Sequence, residues 1–143
     1  KAGINKTILA SLGGEVHCFM SDPDVAQEAK SRGVTRAFVS MEKAAALEKP
    51  CIFAIGNAPT ALLSLEQLME EGKAAPALII GVPVGFVNVV ESKERLFAVC
   101  EKHDVPAIVA MGRKGGSNVA AAICNALIYS AAEMLDPSAR GWK

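Results

Sequence analysis

The chain has 143 residues, 51% hydrophobic and 21% charged, which excludes a disordered polymer and fits one globular domain with its own core. Fifteen basic residues offset fifteen acidic ones, so no electrostatic footprint for nucleic acid or an anionic membrane is present. The longest uncharged stretches, 74–90 and 115–132, are interrupted by Pro76, Gly81, Pro83 and Gly85 or by Ser117, Asn118, Asn125 and Ser130, and neither reads as a membrane span.

In chain order, Ile4–Leu12 reads as a short helix stopped by Gly13-Gly14. Val16–Met20 then reads as a strand. Asp22-Pro23 supplies a cap and a first-turn proline for a helix to about Arg32, closed by Gly33. The stretch 35–47 is mostly helix-forming, although Val34 and Phe38-Val39 would tolerate a strand. Cys51–Ile55 is an apolar strand that runs into Gly56-Asn-Ala-Pro-Thr60 and a helix to about Glu71, closed by Gly72. Ala77–Ile80 is a second such strand. It breaks into Gly81-Val-Pro-Val-Gly-Phe-Val-Asn88, where Asn88 and Glu91 have capping-box spacing for a helix to about His103. Pro106–Ala110 is the last strand, followed by Met111-Gly-Arg-Lys-Gly-Gly116 and a helix from Ser117. Val119, Ile123, Leu127, Ser130 and Met134 recur on one face of that helix until Asp136-Pro137 ends it, and the tail to Lys143 reads as irregular.

Strands and helices alternate, and the strand runs are apolar without alternation. The expected fold is therefore α/β: a three-layer, doubly wound parallel sheet with helices on both faces, as one domain over residues 1–143. In such a sheet the loops after successive strands leave from one edge, where ligands bind. Three loops of this chain carry Gly or Pro and open a helix, so they would bring helix N-termini together as an anion-holding edge. Arg113 and Lys114 add charge. Asn57, Thr60, Asn88, Ser92, Ser117 and Asn118 add neutral hydrogen-bonding groups, and Gly85 lets the backbone come close. Neither Gly-x-Gly-x-x-Gly nor Gly-x-x-x-x-Gly-Lys-Ser/Thr occurs, which disfavours dinucleotide and P-loop chemistry.

Cys18, Cys51, Cys100 and Cys124 stand singly in apolar segments and read as buried reduced thiols. No metal spacing is present, and a reducing, cytoplasmic compartment is expected. His17 and His103 both read as structural: one within a strand, the other at a helix end where a cation suits the dipole. No Ser-His-Asp or metal-ligand grouping is legible from spacing.

The loops also carry a resemblance. Gly56-Asn-Ala-Pro-Thr-Ala-Leu, Gly81-Val-Pro-Val-Gly-Phe-Val-Asn with Glu91-Ser-Lys-Glu, and Gly112-Arg-Lys-Gly-Gly-Ser closely resemble the precorrin-8X and cobalt-precorrin-8 methylmutases. Lys1-Ala-Gly-Ile and Gly33-Val-Thr-Arg-Ala are similar too, so the resemblance covers essentially the whole chain in order. It implies a flavodoxin-like fold, a homodimer, and a step of cobalamin biosynthesis. In that step a methyl group moves from C-11 to C-12 of the macrocycle, giving hydrogenobyrinate or its cobalt form without an added cofactor or a protein-held metal. The substrate's acetate and propionate carboxylates would suit the anion-holding edge. The resemblance implies a ring-binding role for Arg36 and sets Ser117 in the Gly115-Gly116-Ser117 helix start.

Members of that family normally carry a further N-terminal segment with a histidine proposed to protonate the ring, and neither His17 nor His103 stands at its position. Together with a start at Lys1 rather than methionine, this implies the C-terminal two-thirds of a longer chain, unable to turn over alone. Two other readings share the loops: a corrinoid- or tetrapyrrole-binding domain that needs no histidine, and a flavodoxin-like nucleotide-binding module.

Overall fold

A computed structural model of the chain describes residues 1–141. Its centre is a parallel sheet of three strands in the order β1-β2-β3: Ile52–Ile55, Leu78–Gly81 and Ala107–Val109. Between them run α4 (Pro59–Glu70) and α5 (Val89–Lys102), preceded by α1 (Lys6–Ser11), α2 (Pro23–Arg32) and α3 (Arg36–Ala45). After β3 come α6 (Ser117–Ala131) and a short 3₁₀ turn, Pro137–Arg140.

Both sheet faces carry helices, as the alternating pattern implies. On one face Phe53, Ile55 and Ile79 pack with Leu62 and Leu65 of α4 and Leu96, Val99 and Cys100 of α5. On the other, Ile80 and Val82 pack with Ala120 of α6, flanked by Leu78, Ile123 and Cys124. Helix α3 lies against α4, and α2 against α3, around a second cluster of Val25, Ala29 and Val39. The strand order runs without reversal among the described residues.

Three expectations need correction. Val16–Met20 is not a strand: its backbone joins no ladder, and Phe19 instead packs beside Val25, Ala29 and Val39. A strand exists only where a neighbour accepts its backbone bonds, and apolar side chains alone do not supply one. The cysteines are not uniformly buried: Cys100 is, Cys51 and Cys124 are half-buried, and Cys18 is exposed. Burial pushes the Cys100 and Cys124 thiols up. Finally, Asn88 does not cap α5. Its backbone is left-handed, with φ of 59°, and its side chain makes no cap bond.

The remaining helix boundaries follow from their ends. Asn5 caps α1 by accepting from Ile8 N at 3.2 Å, and its backbone N–H donates to Asn125 Oδ1 at 2.8 Å, tying the start of the chain to α6. Thr35 caps α3 by accepting from Phe38 N at 3.1 Å. Gly33, with φ of 67°, closes α2.

Candidate functional site

Ile55 pairs with Gly81, and Gly81 with Val109, so the three strands end at one level and their loops leave side by side. The loops are knitted to one another through the backbone. Gly116 N donates to Val82 O at 2.8 Å, and Gly85 N donates to Arg113 O at 3.2 Å. A Cβ on Gly115 would meet Val82 O at 2.1 Å, and one on Gly56 would meet Ser117 Cα at 2.7 Å. Glycine at those two positions is what lets the loops touch.

Helices α4, α5 and α6 begin at this edge, and none has a side-chain cap. Their first N–H groups therefore face the edge without a side-chain acceptor among the described residues; α2 also starts without one, whereas α1 and α3 are capped. The two cations of the third loop are open as well. Arg113 and Lys114 are exposed and have no carboxylate partner among the described residues, whereas Arg32, Lys43, Arg95 and Lys102 each pair with one or two. Arg113 instead lies over the Phe86 ring, 5.5 Å from its centroid. Phe86 and Val87 are 81% and 78% exposed, and Val84 and Met111 are exposed beside them. The edge thus combines unpaired positive charge with an uncovered apolar surface.

Most of the sequence-predicted residues meet there. Asn57 and Thr60 lie exposed on the first loop and the start of α4, and Gly85 and Asn88 on the second loop. Arg113, Gly115, Gly116 and Ser117 belong to the third. Ser92 does not join them. It is fully buried, and its hydroxyl donates to Val89 O at 2.8 Å, a bond within its own helix. Arg36 is exposed on the first turn of α3, apart from the three loops in sequence. The other end of α3 lines a small crevice with Cys51 and Phe53 at the start of β1.

Neither histidine reaches this edge. His103 caps the far end of α5, about 20 Å of helix from Asn88, and sits 3.3 Å from Glu70. His17 faces Glu15 and stacks on Phe19, which lies under Lys43 in the last turn of α3. A concavity of about 300 Å³ also lies at the opposite end, between Phe97, Cys100 and Val105–Ala107, but its carboxylates Glu101 and Asp104 suit an anion poorly. Among the described residues no group of three or more His, Cys, Asp or Glu could hold a metal ion, and no helix is long and apolar enough to cross a membrane.

Sequence reasoning missed Lys93. Its side chain is 0% exposed, and its Nζ donates to Gly112 O at 2.8 Å and Lys114 O at 2.9 Å, from beneath the third loop. Burial pushes the ammonium down from its ordinary value. The available signal was a lysine near the start of a helix, where the macrodipole disfavours a cation.

Comparison with known proteins gives a consistent answer. The profile of the precorrin-8X methylmutase family matches residues 1–130. A cobalt-precorrin-8 methylmutase of Priestia megaterium is 51% identical over 127 residues, covering 89% of this chain and 55% of the relative. One from Salmonella typhimurium is 50% identical, covering 90% and 58%. The precorrin-8X methylmutase of Pseudomonas aeruginosa is 41% identical, covering 87% and 59%. Among solved structures, a precorrin-8X methylmutase from Thermus thermophilus superposes with a TM-score of 0.78 at 40% identity, over 94% of this chain and 64% of that one. The chain thus spans a little over half the length of these curated relatives. With the profile matched over nine-tenths of its length and the fold shared, the chain belongs to the precorrin-8X methylmutase family.

Proposed function

We propose that the chain forms the carboxylate-holding part of an isomerase of cobalamin biosynthesis, which moves a methyl group from C-11 to C-12 of a precorrin-8X-type corrinoid. The observation that carries this reading is the loop edge: three uncapped helix starts, the unpaired Arg113 and Lys114, and the exposed apolar surface of Val84, Phe86, Val87 and Met111. A corrinoid is a broad apolar ring fringed with acetates and propionates, so it needs both kinds of surface at once. Phe86, Val87 and Met111 would lie against the ring. Arg113, Lys114, Ser117 and the helix starts would take carboxylates, with Asn57, Thr60 and Asn88 at the rim and Arg36 reaching in from α3. Holding the ring in one pose is the contribution of these residues to the rearrangement.

The proton that promotes migration is assigned to a histidine outside the matched portion, because His17 and His103 both stand away from the edge. Residues 1–143 are accordingly read as one domain of a longer methylmutase chain, working in the cytoplasm as a homodimer. The exposed Ile52, Ile108, Val119 and Leu127 beside α6 favour burial against a second copy. Light scattering at increasing concentration tests that association.

A titration with hydrogenobyrinate, followed by visible absorbance, tests the reading itself. A saturable spectral shift that weakens with added salt is expected. No shift, or tight binding of FMN or NAD instead, would overturn it.

A further inference from the structure

We infer that Lys93 is the positioning residue of the loop edge: from beneath, it holds the loop between β3 and α6 so that peptide N–H groups of that loop face a ligand carboxylate. The inference deepens the proposed function and rests on it for the identity of the ligand.

Lys93 is buried completely, yet no carboxylate lies within ion-pair distance among the described residues. Its hydrogen-bond partners there are two neutral carbonyls, Gly112 O and Lys114 O. A buried ammonium without a counter-ion is costly, and a site near the start of α5 adds the unfavourable end of the helix dipole. Packing alone does not account for it, since a leucine or methionine would fill the space without that cost. The effect on the loop does.

A peptide unit is planar and trans, so a carbonyl turned one way turns the next N–H the other. With Gly112 O directed inward at Lys93, the Arg113 N–H points away from it. Lys114 O does the same for the Gly115 N–H. Neither of those N–H groups has a backbone partner among the described residues. The intervening carbonyl, Arg113 O, is taken by Gly85 N, and Gly116 N is fixed on Val82 O, so the loop is pinned at successive points. Gly115 and Gly116 supply the positive φ values, 155° and 133°, that the path requires. The alternate N–H groups of Arg113 and Gly115, turned outward over a buried positive charge, make an anion-accepting concavity. The Arg113 and Lys114 side chains then add long-range attraction on the same loop.

The test compares wild type with Lys93→Met, which keeps length and apolar bulk but loses the charge, and Lys93→Gln, which keeps a shorter neutral donor. Leu96→Ala, buried on the same helix without a bond to the loop, controls for lost stability. Two readouts are taken: hydrogenobyrinate affinity by absorbance, and amide hydrogen exchange at Gly85 and Gly116 by NMR. Lys93→Met is expected to bind about tenfold to a hundredfold more weakly and to exchange faster at those two amides, with Lys93→Gln between it and wild type. Leu96→Ala is expected to be less stable with unchanged affinity.

Wild-type affinity and exchange in Lys93→Met would overturn the inference, as would an equal loss of affinity in Leu96→Ala. If neither Lys93 variant folds, Lys93 is a residue of the core and the inference also falls. If wild type gives no spectral shift, the proposed function fails, while exchange still decides the question of Lys93. Faster exchange at Gly85 and Gly116 in Lys93→Met, absent in Leu96→Ala, upholds its hold on the loop, and unchanged exchange removes it.

Discussion

The flank built from α2 and α3 pairs Arg32 and Lys43 with carboxylates, though not Lys30 or Arg36, whereas the edge built from the three loops pairs none of its cations among the described residues. On the flank, Arg32 pairs with Glu28 and Glu42, and Lys43 pairs with Asp22 and Asp24. Those carboxylates hold both cations above their ordinary pKa values. At the loop edge, among the described residues, Arg113 and Lys114 have no carboxylate partner, and Lys93 is held by two carbonyls. Helix starts divide less cleanly: Thr35 caps α3, but α2 on the same flank, like α4, α5 and α6 at the edge, has no side-chain cap. Where charge and backbone are satisfied internally, they serve the fold. Where they are left open together, at one edge of a parallel sheet, they are available to a ligand.

The sharpest way to break the comparison is to push the loops apart. Gly115→Ala would place a Cβ 2.1 Å from Val82 O on a backbone with φ of 155°, so neither strain nor clash can be relieved locally. It is expected to cost about 3 kcal/mol by urea denaturation and to abolish the hydrogenobyrinate shift. Gly112→Ala is the matched control: φ is 88°, but nothing lies within 4 Å of the added Cβ. Its cost is expected near 1 kcal/mol, the left-handed backbone alone.

A smaller perturbation separates ligand charge from structural charge. Replacing Arg113 and Lys114 together by Ala removes no ion pair among the described residues and only the exposed contact of Arg113 with Phe86, so melting should stay within about 0.5 kcal/mol of wild type. Hydrogenobyrinate affinity should fall roughly tenfold, and the remaining affinity should depend less on salt. A loss of stability without a loss of affinity would assign these side chains to the fold. The cap contrast predicts less still. Asn5→Ala removes the Ile8 N cap bond together with the bond that Asn5 Nδ2 donates to the Tyr129 hydroxyl at 3.3 Å, and is expected to cost about 1 kcal/mol. Asn88→Gly removes no cap bond and relieves a φ of 59°, so it should be neutral or slightly stabilising in the same denaturation assay.

Much of this division was legible in the sequence. Apolar runs before Gly56, Gly81 and Met111 gave all three strands of the described sheet, because a doubly covered parallel strand is marked by its own composition. The loops were legible because their glycines and prolines are local signals. Three features were not, each for want of a distant partner. Val16–Met20 has strand composition, but pairing depends on a neighbour that composition does not name. Asn88 and Glu91 have capping-box spacing, but the turn after Phe86 puts Asn88 in a left-handed conformation, and its side chain makes no cap bond. Lys93 and Ser92 are adjacent in one motif. Only the packing of α5 under the third loop shows that both face inward, one bonding its own helix and the other two carbonyls 19 and 21 residues ahead.

The finest distinction between the two regions is in pH dependence, where the expected shifts are small and opposite in window. On the flank, the hydrogen bond from Lys43 Nζ at 3.0 Å holds the Asp24 carboxyl below its ordinary value of 3.8. The folded chain therefore keeps that charge to lower pH than the unfolded chain does. The contribution to stability is present above the ordinary value and is lost as pH falls through the depressed one. Asp24→Asn should melt slightly below wild type at neutral pH, and the gap should close in acid. Under the loop edge, burial lowers the Lys93 value from 10.5, so between the lowered and ordinary values the unfolded chain binds more protons than the folded one. Folding then becomes more favourable as pH rises through that alkaline window. Lys93→Met has no such proton to lose, so wild type should gain in melting temperature on Lys93→Met between neutral and alkaline pH. A gap that stays constant across that range would mean the ammonium is not desolvated in the folded chain, and the contrast between paired and buried-unpaired cations would lose its energetic basis.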